Sequence, residues 1–387
     1  MSTDAAALPS RGLRIFVVSY LYEPKIQQGM GGFQKVFELG RQMARFHQVT
    51  FFLPAYSRHS TDLDCVWVPV VDLPMLRVLS FNLATAIAVM VRALRGRPHI
   101  VYQRIFNAFG PAVAATLLGA RLVVEFNGNP LDFYRTHNSA GRSWVRRLIG
   151  WNLRQAHRVV ALTEGLRSEI FSDFGVDNSH VFVAPSGSNP DVFYPRDRQE
   201  CRQALSIKSD ALVAVFAGTF FPYQGIDDLL AALADPRLRN LDVWLLGEGA
   251  MRSAWEARAA QLGLERVRFT GQVEYARVPV FIGAADFCLA PFDPGRGEAS
   301  PLKVLDYLFC ARPTVISGIA PVQNLLDQFP SLLPFKAGDP GALANTLETM
   351  ISARQDYARR AELDSQVARQ HYSWEQIAHD IEVNCFR

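Results

Sequence analysis

The sequence predicts an α/β protein built from two doubly wound parallel-sheet domains. Three observations lead there. Short, almost continuously apolar runs alternate with helix-like stretches, the pattern of strands covered on both faces of a parallel sheet. These runs fall into two series, one in each half of the chain. The length, 387 residues, favours two domains, each able to bury a core.

In the first half the strand runs are LRIFVVS (13–19), QVTFFL (48–53), HIVY (99–102), RLVVEF (121–126), RVVAL (158–162) and VFVA (181–184). The second half supplies ALVAVFA (211–217), LDVWLL (241–246), VRFT (267–270), DFCLAP (286–291) and PTVIS (313–317). Between the series, SGSNPDVFYPRDR (186–198) is rich in turn formers and reads as the linker. The expected domains are therefore 1–190 and 191–371, each Rossmann-like, with a last helix over 372–387. The run FNLATAIAVMV (81–91) is too short to span a bilayer and reads as a core helix.

Composition excludes several classes. Lys and Arg total 40 against 37 acids, so bulk charge does not point to nucleic acid. Cys65, Cys201, Cys288, Cys310 and Cys385 are scattered without a C-x-x-C, which argues against a disulfide framework or a zinc site. That usage fits a reducing compartment. The opening MSTDAAALPSRG lacks the apolar core of a signal peptide. The expected location is cytoplasmic, with attachment to the inner face of a membrane left open.

The stretch richest in chemistry is GEASPLKVLDYLFCARPTVIS (297–317). Ser300 suits a helix N-cap and Pro301 the first helical position. Leu302, Leu305, Leu308 and Phe309 are spaced to bury one face, and Pro313 ends the helix. The amides of Leu302 and Lys303, with the helix dipole and the Lys303 charge, then form an anion site. Asp306 shares a face with Lys303, and Glu298 precedes the cap. An anion site flanked by two carboxylates suits a sugar nucleotide, with phosphate at the cation and hydroxyls at the carboxylates. A well-capped surface helix with ordinary charges explains the same residues, and this stretch alone does not choose between them.

Ligands of doubly wound folds sit at the carboxyl ends of strands. After the first strand, Gly29, Gly31 and Gly32 let backbone approach an anion ahead of a helix from Phe33. No G-K-[ST] follows, so this is not a Walker A loop, and a tight turn without ligand is the plain alternative. In the second half, Gly218 and Gly225 flank a turn in GTFFPYQGIDDLL (218–230).

In order and spacing these segments resemble the GT-B glycosyltransferases, and within them the retaining group called glycosyltransferase family 4. The Gly31-Gly32 loop is similar to the family's N-domain glycine pair. VAPSGSNPDVFYP resembles its interdomain P-N-G-V-D…F-x-P, and AGTFFPYQGIDDLLAAL its G-R-x…K-G-x-x-x-L-x-x-A. LLGEGAMR resembles its G-x-G-P segment, and VRFTGQVEYARVPVFIGAADFCLAP the stretch lining the nucleobase pocket. GEASPLKVLDYLFCARPTVIS resembles the E-x7-E helix, and HYSWEQIA the C-terminal helix that crosses back onto the first domain.

The resemblance implies two domains facing across a cleft and supplies roles. Glu298 would hold hydroxyls of the transferred sugar. Asp306 would bind the ribose, in place of the family's usual Glu. Ser300, Pro301, Leu302 and Lys303 would cradle the diphosphate with Gly31 and Gly32, and Gly271, Gln272 and Val273 would border the nucleobase. There are departures. Thr219 and Gln224 stand where the family grips the diphosphate with Arg and Lys, which leaves more of the phosphate charge to Lys303. Ser186 replaces the interdomain Asn, and Asn127 the N-domain His. Asn127 cannot be a base, but it can hydrogen-bond an acceptor or sugar hydroxyl. Arg104 either faces the acceptor or braces its loop. Glu125 is a further candidate for the cleft, with an inward strand carboxylate paired to arginine as the plainer reading.

Such a transferase is implied to work on one face of the sugar, with the leaving diphosphate helping to deprotonate the acceptor. It needs no metal and no cofactor beyond the sugar nucleotide as co-substrate. Asp62-Leu63-Asp64 resembles the metal motif of the other glycosyltransferase fold but reads as a solvated loop. His137, His157, His180 and His371 show no cluster spacing and read as structural. The segment RSWVRRLIGWNLRQAHR (142–158) sets Val145, Leu148, Ile149 and Ala156 on one face and arginines on another. It either rests on an anionic bilayer near a lipid-linked acceptor or packs on the sheet. The leading reading is a retaining transferase of a hexose-type sugar to a glycan, lipid-linked or small-molecule acceptor, as in polysaccharide biosynthesis. The rival is a non-catalytic sugar-nucleotide sensor or partner subunit. An epimerase on the same fold is disfavoured by the absence of an evident acid–base pair.

Overall fold

The computed structural model describes residues 12–20, 31–59, 61–73, 76–106, 108–132, 142–295, 297 and 301–387. Two compact units emerge. Of the described residues, those in 12–20, 36–184 and 378–387 belong to the first, and those in 31–35 and 185–377 to the second.

The first unit holds β1 (Arg14–Val18), β2 (Gln48–Pro54), β3 (Cys65–Val68), β4 (Ile100–Arg104), β5 (Arg121–Phe126), β6 (Arg158–Ala161) and β7 (Val181–Val183). Among the described residues they form one parallel sheet in the order β3-β2-β1-β4-β5-β6-β7. The second unit holds β8 (Leu212–Ala217), β9 (Leu241–Leu246), β10 (Val267–Gly271), β11 (Phe287–Ala290), β12 (Thr314–Ser317) and β13 (Leu332–Phe335). Its order, β10-β9-β8-β11-β12-β13, is again parallel. Both sheets start in the middle, run to one edge, and resume on the other side of the first strand. That is the winding of dinucleotide-binding folds, whose ligand site is the reversal point. Here the reversal points lie between β1 and β4 and between β8 and β11.

The apolar runs explain the layers. In β8, Val213 and Val215 enter one buried cluster while Ala214 and Phe216 enter another on the opposite face. In the first unit, Phe16, Val18, Phe52, Val101 and Val124 share a core with Phe81 and Val89 from helix α2 (Arg77–Ala93). The sheets are thus covered on both sides, as the near-continuous hydrophobicity requires.

Several expectations need correction. Two strands, β3 and β13, were not legible; each is four residues long and lies at a sheet edge. Helix α1 (Gly31–Ala44) begins at Gly31 rather than Phe33. The helix of the SPLK stretch spans Leu302–Phe309 with Pro301 in the cap position, so it starts one residue later than expected. Segment 81–91 lies in α2, whose inner face is core; its outer face is exposed.

The helix Arg142–Gln155 buries Val145, Ile149 and Leu153 in the first core. Its arginines have local work. Arg146 Nε donates to the Asp173 carbonyl at 2.6 Å and Arg154 Nη1 to that of Phe174 at 3.2 Å. Both satisfy carbonyls at the C-terminus of the helix Glu164–Phe174. In the Asp62–Asp64 loop, Asp64 accepts from Thr50 Oγ1 at 2.7 Å and from Arg92 Nη2 at 2.9 Å. The chain's last residues pack into the first unit. Leu13 N–H donates to His47 Nδ1 at 3.1 Å, which leaves Nε2 to donate to Glu382, also at 3.1 Å. Arg121 donates to the carbonyls of Phe386 and Arg387.

Candidate functional site

The reversal point of the second sheet carries Lys303. Its helix is anchored to β8 by Tyr307, one turn on, whose buried hydroxyl accepts from the Ala217 N–H at 2.8 Å. Burial pushes the Tyr307 phenol well above the usual tyrosine range, so it stays a neutral partner. Lys303 therefore points over the carboxyl ends of β8 and β11. Its Nζ lies 3.8 Å from the centre of the Phe216 ring and 5.4 Å from that of Phe292. It donates to Gln224 Oε1 at 2.6 Å. It also sits against Gly218: a β-carbon built there would meet Nζ at 2.6 Å. The ammonium is thus half-desolvated on aromatic faces, with the Gln224 amide oxygen among its acceptors.

Gln224 is placed by its neighbours. It ends the tight turn Pro222–Gln224 and is buried. Gly225 follows at φ 64°, and a β-carbon there would lie 1.5 Å from the Pro291 carbonyl oxygen. Only glycine permits that approach of the loop after β8 to the end of β11.

Beside Lys303, a pocket of about 90 Å³ opens at the carboxyl ends of β8, β9 and β10. Gly218, Thr219, Gly247, Glu248, Gln272 and Val273 line it, with Val278 closing one side. Main-chain bonds fix its walls: Gly218 N–H donates to Leu246 O, and Gly247 N–H to Gly271 O, each at 2.9 Å. Gly247 is at φ 147°, and a β-carbon there would lie 1.8 Å from the Gly218 carbonyl oxygen. Glu248 at the rim is paired to Arg252.

Asp306 lies on the same helix, three residues after Lys303. It accepts from Ser188 Oγ at 2.6 Å. Ser188 is held in turn by main-chain bonds with Tyr372 O and Trp374 N–H. Sequence reasoning singled out Ser186 in this linker and missed Ser188; the only signal was a second serine two residues on. Of the expected donor-side residues, Thr219, Gln272 and Val273 share one pocket, Gly271 ties its floor, and Gln224 holds Lys303. Pro301 and Leu302 open the helix that carries Lys303 and Asp306. Glu298, Ser300 and Gly29 lie outside the described residues, and Gly31 and Gly32 form the first turn of α1.

The first unit has its own polar group at its reversal point. Arg104 ends β4 and Glu125 sits beside it in β5. Tyr102 OH donates to Glu125 Oε2 at 2.5 Å. The Asn127 amide is oriented by the arginine, its Oδ1 accepting from Arg104 Nη2 at 2.8 Å and from Nε. Arg104 keeps some accessible surface, yet the protein packed around its guanidinium pulls its pKa down, against the pull of Glu125. Burial, then the Glu125 charge, pushes the Tyr102 phenol well above its usual range. Ser19, Tyr102, Arg104 and Glu125 border a void of about 10 Å³, room for one water. Arg104 and Asn127 therefore do come together, as one braced unit.

Two family models match this chain in tandem. Residues 31–192 match Glycosyltransferase Family 4, and residues 211–353 match Glycosyl transferases group 1. The chain belongs to the family 4 glycosyltransferases. Its fold is GT-B. Sucrose-phosphate synthase from Thermosynechococcus elongatus superposes with a TM-score of 0.79 at 18% identity, over 96% of this chain and 98% of that one. The Anabaena protein HepE, solved in complex with UDP-glucose, gives 0.74 at 16% identity, covering 96% and 98%. Among curated relatives, D-inositol 3-phosphate glycosyltransferase of Geodermatophilus obscurus is 29% identical over 236 residues, 57% of this chain and 50% of that protein. The chain thus spans about half the length of the curated relatives it matches. In this chain Gln224 bonds the Lys303 ammonium, and Thr219 lines the pocket beside it.

Proposed function

We propose that the protein is a retaining, metal-independent glycosyltransferase that moves a sugar from a nucleoside diphosphate to a hydroxyl. The acceptor is a glycan, a lipid-linked glycan or a small molecule. One observation carries the reading. A half-buried ammonium, Lys303, stands at the reversal point of a doubly wound sheet, beside the first amides of a helix. That combination of full charge, dipole and exposed N–H groups fits a diphosphate.

In the proposed reaction the sugar C1–O bond to the β-phosphate breaks while C1 bonds the acceptor oxygen on the same face. The acceptor proton passes to the departing phosphate oxygen. Lys303 and the amides of Leu302 and Lys303 take up the charge that develops on the leaving group. Asp306, aimed by Ser188, binds the ribose. Thr219, Gln272 and Val273 receive the base. Glu298 holds sugar hydroxyls, and Asn127, braced by Arg104, orients the acceptor hydroxyl. Electrostatic positioning of this kind requires no protein nucleophile.

A second reading, a sugar-nucleotide sensor without turnover, is favoured by the loss of two cations at Thr219 and Gln224. A donor screen that measures nucleoside diphosphate release, on wild type and Lys303→Ala, separates the two. Release that falls by about tenfold or more in the variant supports transfer assisted by Lys303. Tight donor binding without release across acceptors supports the sensor, and equal release by the variant removes the role given to Lys303.

A further inference from the structure

We propose that the outer face of α2, widened by helix α3 (Gly110–Leu118), is a docking surface for an anionic lipid bilayer. The inner face of α2 is core, built from Phe81, Asn82, Thr85, Val89 and Ala93. Its outward positions are as apolar as its inward ones. Leu79, Leu83, Ile87, Met90, Val91 and Leu94 are all exposed, Ile87 at 65% and Leu94 at 87%. Their spacing places them on one stripe along the helix. Val113 and Leu117 of the neighbouring α3, one turn apart, are exposed as well. The patch is on the order of several hundred Å², the size at which exposed apolar surface marks an interaction site.

Charge selects the occupant. Residues 73–124 contain no Asp or Glu; Arg77 and Arg92 pair with Asp72 and Asp64 from neighbouring segments, Arg104 and Arg121 are engaged within the unit, and Arg95 and Arg97 remain for the rim. Arg95 and Arg97 are exposed just past the end of the apolar stripe. A second copy pairing this face about a two-fold axis would bring Arg95 and Arg97 to the interface without an acid of this segment to receive them. A bilayer offers acyl chains to the stripe and anionic headgroups to the rim. The helix would lie in the interface rather than cross it, since no described helix is long and apolar enough to span a membrane. Its orientation is already fixed, because the opposite face is the core of the unit.

Flotation of the full chain tests it, using vesicles of phosphatidylcholine alone or with about 30% phosphatidylglycerol. Wild type floats with the anionic vesicles, and salt weakens it. Ile87→Glu with Leu94→Glu abolishes flotation, and Arg95→Glu with Arg97→Glu lowers partitioning about 25-fold or more. Trp144→Ala, on the basic helix 142–155, leaves it unchanged. All these side chains are exposed, so unchanged melting curves certify the fold. Absence of flotation, equal flotation on neutral vesicles, or variants that float like wild type overturn the proposal. So does a concentration-dependent dimer that Ile87→Glu with Leu94→Glu dissolves while vesicles bind nothing, which would assign the face to a second copy.

Discussion

Replacing Lys303 by Met isolates the charge from the packing. The thioether side chain keeps apolar contact with the rings of Phe216 and Phe292, which lie 3.8 and 5.4 Å from the ammonium. What disappears is the cation and its bond to Gln224. A hydrogen bond to a charged group contributes about 1.5–3 kcal/mol, so nucleoside diphosphate binding weakens roughly 10- to 150-fold. Stability also falls by about 1–3 kcal/mol, because the buried Gln224 oxygen loses its donor. The reciprocal change, Gln224→Lys, sets two ammonium groups near each other. At about 4 Å and an effective dielectric of 20 their repulsion reaches about 4 kcal/mol, less as the side chains swing apart. That variant melts lower and is rescued by added diphosphate. The double variant Lys303→Met with Gln224→Lys returns one cation to the site, so its binding recovers to within about tenfold of wild type, a coupling that independent sites would not produce. Isothermal titration with uridine and guanosine diphosphates, alongside urea unfolding, reads all four proteins. Binding by Lys303→Met within about twofold of wild type would refute the reasoning.

Three further outcomes follow from the geometry. Ser188→Ala frees Asp306 from its 2.6 Å bond, and donor KM rises about tenfold with little change in kcat; an unchanged KM would separate Asp306 from the ribose. Gly247→Ala drives a β-carbon against the Gly218 carbonyl at φ 147° and costs at least about 2 kcal/mol in urea unfolding; wild-type stability would mean the strand ends yield. Stability falls as pH rises above about 10, because unfolded tyrosines ionise there while Tyr102 and Tyr307, whose pKa values burial raises, stay protonated. The slope is about 1.4 kcal/mol per pH unit for each phenol, and Tyr102→Phe removes one share. Urea midpoints between about pH 9 and 11 that do not move would contradict this.

The central strands were legible because burial on both faces leaves a continuous apolar run; β5 and β9 match their expected limits. β3 and β13 were missed because an edge strand needs less hydrophobic length. Segment 81–91 reads as core because its apolar run is too short to span a bilayer, but neither length nor composition says which side of a mostly apolar helix meets protein. At the site, chemistry was more legible than geometry. The anion-binding role proposed for residues 301–303 follows from residue types and a helix start. That Gln224 holds Lys303, or that Ser188 meets Asp306, depends on contacts 79 and 118 residues apart in sequence. No local pattern records such pairings.

A crystal structure with uridine or guanosine diphosphate tests the central claim most directly. The β-phosphate should lie within about 3 Å of Lys303 Nζ and of the amides of Leu302 and Lys303, with the base among Thr219, Gln272 and Val273. A nucleotide bound elsewhere, with Lys303 still bonded to Gln224 and not to phosphate, would contradict it.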